Sequence, residues 1–347
     1  MMEDNKGRIW YANRDFGYNI INLKEKWSRQ INTKNGLLGN FNINPYQDSE
    51  GLIWLSTNSG VNILDLKVGK SIALTKNRGL LDDFVASFYE DQNGKMWIAS
   101  GGGINILNKE KTEISYFTAQ QGLNGLPAAS EIFQDKTDKF WIGSVNGLLF
   151  SYDESNEIIE RYVLSNSNSQ FVFNFVEDNQ GQIWASIAQG GLYKVNMNSG
   201  KPGNFTKENG LTDNTVWSTL EARDGKIWIG TEGGIDVYNP EKRSIKHLGT
   251  EQGLANNRAT RLIEDSKGRI WANGINPFVS IIDPTKETIQ HLTNTTIANL
   301  FNVRSIFEDH NGHFWMGGIN GELLTLDLKN LILLGLKFLS NKFLQTG

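Results

Sequence analysis

No cysteine occurs anywhere in the chain, which excludes disulfides, thiolate metal sites and thiol nucleophiles. Proline is scarce, at 6 residues against 36 glycines, the balance of a chain that turns often and tightly rather than one that stays disordered. Histidine, the usual general base near neutrality, is limited to four residues. No Lys/Arg run offsets the formal charge of −4, so the electrostatic footprint of a nucleic-acid binder is missing. The apolar stretch "LILLGLKFL" at 331–339 falls well short of the roughly 20 residues of a membrane span. The opening "MMEDNKGRIW" lacks the basic-then-apolar pattern of an export signal. As written, the sequence is expected to contact neither membrane nor nucleic acid and to need no cofactor or metal.

What is present is a repeat. Tryptophans stand at Trp10, Trp54, Trp97, Trp141, Trp184, Trp228, Trp271 and Trp315, at alternating intervals of 44 and 43 residues. Around each, the chain repeats one pattern, as in "EDQNGKMWIASGGGINIL" (90–107) and "EARDGKIWIGTEGGIDVY" (221–238). An apolar segment ends in an acidic residue or pair, a Gly-containing turn follows, and the tryptophan segment comes next. A Gly-rich loop then leads to a third apolar segment, and a polar turn to a fourth. Most units close on Gly-Leu, seen at Gly36-Leu37, Gly122-Leu123, Gly210-Leu211 and Gly253-Leu254. Four short antiparallel strands every 40–45 residues are the signature of a β-propeller blade. One blade cannot bury both faces alone, so the column tryptophans are expected to pack between neighbours.

The fold expected is therefore all-β, a propeller of four-stranded antiparallel blades over residues 1–328 with an apolar tail at 329–347. Counting segments leaves the first repeat without its first strand and the eighth incomplete, with "ILLGL" (332–336) falling where a fourth strand would. Seven blades with surplus strands from the eighth repeat are expected, with "VRSIFED" (303–309) completing blade one; eight blades are the alternative.

The units "EARDGKIWIGTEGGIDVYNPE" and "ENGLTDNTVWSTLEA" resemble the two-component regulator propeller repeat, and the resemblance covers essentially residues 1–328. It implies a seven-bladed propeller, often one of two in tandem, lying outside the membrane in hybrid sensor histidine kinases of Bacteroidetes. It further implies a non-catalytic sensor that binds oligosaccharide and signals to a kinase carried elsewhere. This sequence departs from the family in showing no kinase, receiver or DNA-binding segment, so it reads as a fragment of such a sensor, periplasmic within a parent protein and cytoplasmic if made as written. A homodimer or a neighbouring propeller is the alternative partner, and a protein–protein scaffold the alternative function.

Site residues are sought where loops between the fourth and next first strand, and between the second and third, share one face. On the first strands, one column runs Ile43, Ala86, Ser130, Phe173, Trp217, Thr260, Arg304 and the next Asn44, Ser87, Glu131, Asn174, Ser218, Arg261, Ser305. Trp217, Arg304, Arg261 and Glu131 stand out. An aromatic platform beside charged groups suits a sugar, which stacks its C–H face and hydrogen-bonds its hydroxyls. The alternative is that Trp217 fills a local gap while the charges pair with each other. Two atypical second-to-third loops add Arg14, Asp15 and Phe16 from "NRDFGYN" and Asn276 and Phe278 from "NGINPFVS". The polar stretch 164–173 and the pair Asp82-Asp83 are weaker candidates, since two carboxylates alone do not make a calcium site.

Streptogramin lyases have a similar "DG.IW" blade, which makes them the enzymatic rival. Catalysis of that kind needs a positioned acid or base. His247 and His291 align with fourth strands, and His310 and His313 with a hairpin turn away from the loop face. No enzyme activity is expected.

Overall fold

The computed structural model describes residues 1–13, 16–40, 45–164, 171–195, 203–274, 279–292, 303–318, 323–327, 332–339 and 342–346. Among the described residues the strands form eight antiparallel sheets in chain order, seven of four strands and one of five. These blades span residues 2–31, 46–74, 85–117, 129–163, 172–205, 216–248, 261–292 and 303–346. Eight blades replace the seven expected from sequence. The first repeat does possess its first strand, but it is only Met2–Glu3, paired with Ile9 and Trp10. Two residues carry no readable alternation. Val303–Glu308 pairs instead within blade 8, where Ile332–Leu339 is a fourth strand and Lys342–Thr346 a fifth. The blades fall into two compact units, Met1–Val172 and Phe173–Gly347.

Within each unit, apolar residues of neighbouring blades form shared cores. Between blades 1 and 2, Trp10, Ile20 and Leu37 meet Ile53, Leu55 and Leu64. Between blades 6 and 7, Trp228, Ile235 and Leu254 meet Ile270, Ala272 and Ile282. Each Gly-Leu unit explains itself here. A short 3-10 turn ends on a glycine such as Gly210, at φ 124°, and the next residue, Leu211, drops into the core between blades 5 and 6. A buried polar residue on the third strand then holds the loop. Asn62, Asn105, Asp236 and Ser280 accept the N–H of Leu38, Leu81, Thr212 and Ala255 at 2.8–3.1 Å. The loops on this face are thereby fixed by their own chain, as buried backbone polar groups require.

The acidic pair does two separate jobs. Its aspartate latches its own blade. Asp4, Asp48, Asp91, Asp135, Asp178, Asp265 and Asp309 each accept the indole N–H of the tryptophan six residues on, at 2.7–3.0 Å. The other oxygen of each accepts backbone N–H groups of the hairpin turn, as Asp265 does from Lys267 and Arg269 at 2.9 and 2.8 Å. The preceding acid reaches the blade before. Glu90 accepts from the backbone and hydroxyl of Ser49, Glu221 from Asn179, Glu264 from Arg223 and Glu308 from Ser266. Charge-assisted bonds of this kind are stronger than neutral ones, so the motif latches the hairpin of seven blades and, in the four cases named, joins a blade to the one before it.

Candidate functional site

The first strands carry β-bulges at the end nearest the loop face. Ala86, Ser130, Trp217 and Arg304 are each skipped by the ladder, as when Val216 pairs with Thr231 but Ser218 with Gly230. A bulge leaves one residue unpaired and re-aims its side chain. In these four blades the column picked from sequence is therefore a column of bulge residues, and two of them place a tryptophan and an arginine there.

Trp217 is half-buried and sits within a cluster of the second unit. Its indole N–H donates to Glu232 Oε2 at 2.8 Å, and Arg258 Nε lies 2.9 Å from the same oxygen. The Arg258 guanidinium lies over the Trp217 ring, 4.9 Å from its centroid. Phe173 packs against the ring at 5.3 Å, inclined by 31°. Glu232 begins the turn after the second strand of blade 6, and Arg258 lies three residues before the first strand of blade 7. The cluster draws on both kinds of loop that share this face. Cation–π and charge-assisted contacts together hold Trp217 in one pose.

The other candidates separate. Arg304 is exposed at its bulge. Arg261 is exposed on the adjacent first strand, opposite Asn273, and its neighbour Leu262 donates to Ser218 Oγ at 3.1 Å. Glu131 is half-buried in blade 4 of the first unit, paired with Gly143. Phe16 is an exposed aromatic, 55% accessible. Arg14, Asp15, Asn276 and Phe278 lie outside the described residues, as does most of the 164–173 stretch. Asp82 and Asp83 cap backbone N–H groups of Phe84 and Lys76, and among the described residues no cluster of three or more acidic or histidine side chains could hold a metal.

Sequence reasoning missed Arg258 and Glu232. Arg258 holds the position before the first-strand apolar residue, where Phe84 and Phe171 stand in other blades; comparing that column would have found it. It also passed over a second feature of blade 6. A polar cleft of about 200 Å³ is lined by Thr212, Gly233, His247, Gln252 and Asn257 among others. Here the loop-holding residue is a fully buried aspartate, Asp236, and His247 Nδ1 lies 2.6 Å from its carboxylate. The other oxygen of Asp236 accepts the Thr212 N–H and hydroxyl. His291 repeats the position one blade on, against Ser280 at 3.3 Å.

The sequence profile of the two component regulator propeller family matches residues 79–102 and 210–233. Histidine kinase P4 of Formosa agariphila is 37% identical over 87 residues, which are 23% of this chain and 6% of that protein. The extracellular domain of a hybrid two component system from B. thetaiotaomicron superposes with a TM-score of 0.58 at 21% identity, over 98% of this chain and 48% of that one. Virginiamycin B lyase from Staphylococcus aureus superposes with a TM-score of 0.60 at 13% identity, over 91% and 96%. At these identities the solved structures establish the fold and carry no chemistry across. The chain spans about half of the extracellular domain and a small part of the kinase.

Proposed function

We propose, from the match of residues 79–102 and 210–233 to the two component regulator propeller family, that the chain is a non-catalytic recognition module of an extracytoplasmic sensor. It recognises through the loop face of blades 5–8, and its partner is another protein surface, a neighbouring propeller or a second copy. The observation that carries this reading is the Trp217 cluster. Tryptophan and arginine dominate the energetics of protein interfaces, and here the indole is already held by Glu232, Arg258 and Phe173. A group held in place before binding loses little freedom on association. The extracellular setting of the similar solved domain supports placing this module outside the membrane. Among the described residues no helix is long and apolar enough to cross one.

A second reading, oligosaccharide binding, is favoured by the cleft at His247. Its hydroxyl, amide and imidazole groups suit a single hydroxylated ring. Histidine kinase activity belongs in this account to a parent protein.

Two measurements with one variant decide between them. Thermal unfolding is followed with a panel of oligosaccharides, and sedimentation is followed across protein concentration. A ligand at about 100 times its Kd adds roughly 2.7 kcal/mol. Self-association that disappears in Trp217→Ala supports the docking reading. A sugar-dependent rise in Tm supports the second. Association and sugar response both unchanged in Trp217→Ala would overturn the assignment of the face.

A further inference from the structure

Blade 6 breaks the aspartate column. Where the other seven blades place the latching aspartate, it has Ala222, and the indole N–H of Trp228 has no hydrogen-bond partner although the residue is only 3% exposed. The turn itself is unchanged. Ala222 N–H donates to Lys226 O at 2.9 Å and Gly225 N–H to Ala222 O at 2.8 Å, as Asp265 and Gly268 do with Arg269 and Asp265, both at 2.9 Å, in blade 7. Asp224 recovers part of what is lost by accepting the Lys226 N–H at 3.1 Å. Nothing replaces the bond to the indole. A buried donor without an acceptor keeps its full desolvation penalty, so blade 6 holds its inner hairpin less firmly than any neighbour in its unit.

We infer that the hairpin Val216–Glu221 and Ile227–Thr231 is a conformational element built to loosen, the first part of the second unit to open. Ala222 stands at one end of this hairpin, and Trp217 and the Glu232 that follows it at the other. The end that lacks a latch is therefore joined by two short strands to the end that carries the cluster. A partner gripping Trp217 would add to the restraint that Glu232 and Arg258 already place on one end of the hairpin, and the loop face would thereby be coupled to the unlatched end at Ala222. This coupling rests on the recognition reading above, whereas the looseness stands on the missing latch alone. Local opening at low cost is what switching elements require.

Hydrogen exchange on the full chain, with no ligand present, tests it. One charge-assisted bond and one stranded donor correspond to a factor on the order of 100 in an opening equilibrium. Amides of Val216–Glu221 and Ile227–Thr231 are expected to exchange faster by that factor than those of Arg261–Glu264 and Ile270–Asn273 in blade 7. Ala222→Asp, which supplies the absent acceptor on an unchanged turn, is expected to remove the difference. Asp265→Ala is expected to give blade 7 the exchange of blade 6, and it decides the matter if Ala222→Asp does not fold. Equal protection of the two hairpins in the wild type, or rates in Asp265→Ala that stay at the wild-type value, would overturn the inference. For the coupling, Trp217→Ala should speed exchange of the hairpin in the wild type and do so less in the Ala222→Asp background; equal effects in both would sink the coupling while leaving the looseness standing. Failure of the recognition reading shows separately, in the association and sugar measurements.

Discussion

Replacing Asp265 by alanine lowers the stability of the protein by about 3 kcal/mol, the sum of a lost charge-assisted bond and buried donors left without an acceptor. The carboxylate is fully buried. It accepts the Trp271 indole at 2.8 Å, two turn N–H groups, and the Arg269 guanidinium at 2.7 Å. Alanine strands all of them beneath an intact tryptophan. The native Ala222 shows that the fold survives one such gap, so the variant should unfold cooperatively at a lower temperature rather than fail to assemble. Chemical denaturation of the two proteins measures the difference.

The same carboxyl gives the prediction a pH signature. Burial pushes its pKa up, but the Trp271 indole and the Arg269 backbone and guanidinium donors outweigh burial and hold it below the usual carboxylate value. A group whose folded pKa is depressed stabilises the protein fully above its unfolded pKa of about 3.9. That contribution is lost as pH falls through the lower folded value. The stability difference between wild type and Asp265→Asn should therefore be constant near neutrality and shrink below about pH 4. A difference that grows on acidification would contradict the latch.

The second large effect concerns two adjacent glycines. Gly103→Ala should cost about 3 kcal/mol or more, and Gly102→Ala only about 1. Both have positive φ, at 148° and 80°. A Cβ on Gly102 meets nothing within 4 Å, whereas one on Gly103 lies 2.5 Å from the backbone oxygen of Phe117. Backbone cannot swing aside as a side chain can, because Phe117 pairs with Ile104 in the same blade. Gly234 repeats the arrangement against Leu248 O at 2.5 Å, so the effect belongs to the blade pattern. Melting curves of the two single variants compare a strained position with a strained and crowded one.

Much of this architecture can be read from the tryptophan spacing, because one residue type at a fixed interval demands one environment repeated eight times. The acidic pair could be read as the end of a strand, but not as two acids with different partners. The aspartate's partner is six residues ahead and the glutamate's lies some 41 or 42 residues back, a distance visible only once neighbouring blades are in place. The blade count went astray at Met2–Glu3, a strand too short to show alternation and recognisable only by its acidic end. At the loop face, Trp217 announced itself by breaking a quiet column. Arg258 stands out only when the position before the first strand is compared across blades, and Glu232 not at all, since it lies outside a strand and joins Trp217 only through the folding of two loops. The missing acid at Ala222 was in plain view in the best-formed repeat, and it acquires meaning only beside the seven aspartates that bind their indoles.

Residues that build blades are distinct from residues that face a partner, and Trp217 is where that distinction is most exposed to test. The deciding measurement is the thermal unfolding of Trp217→Ala beside the wild type and Asp265→Ala. A half-buried indole on a bulge, lost together with its cation–π and ring contacts, should cost about 1–2 kcal/mol, less than Asp265→Ala, and leave the transition sharp. A loss as large as that of Asp265→Ala, or a broadened transition, would show that Trp217 is part of the core and would remove the recognition face from the loop side of blade 6.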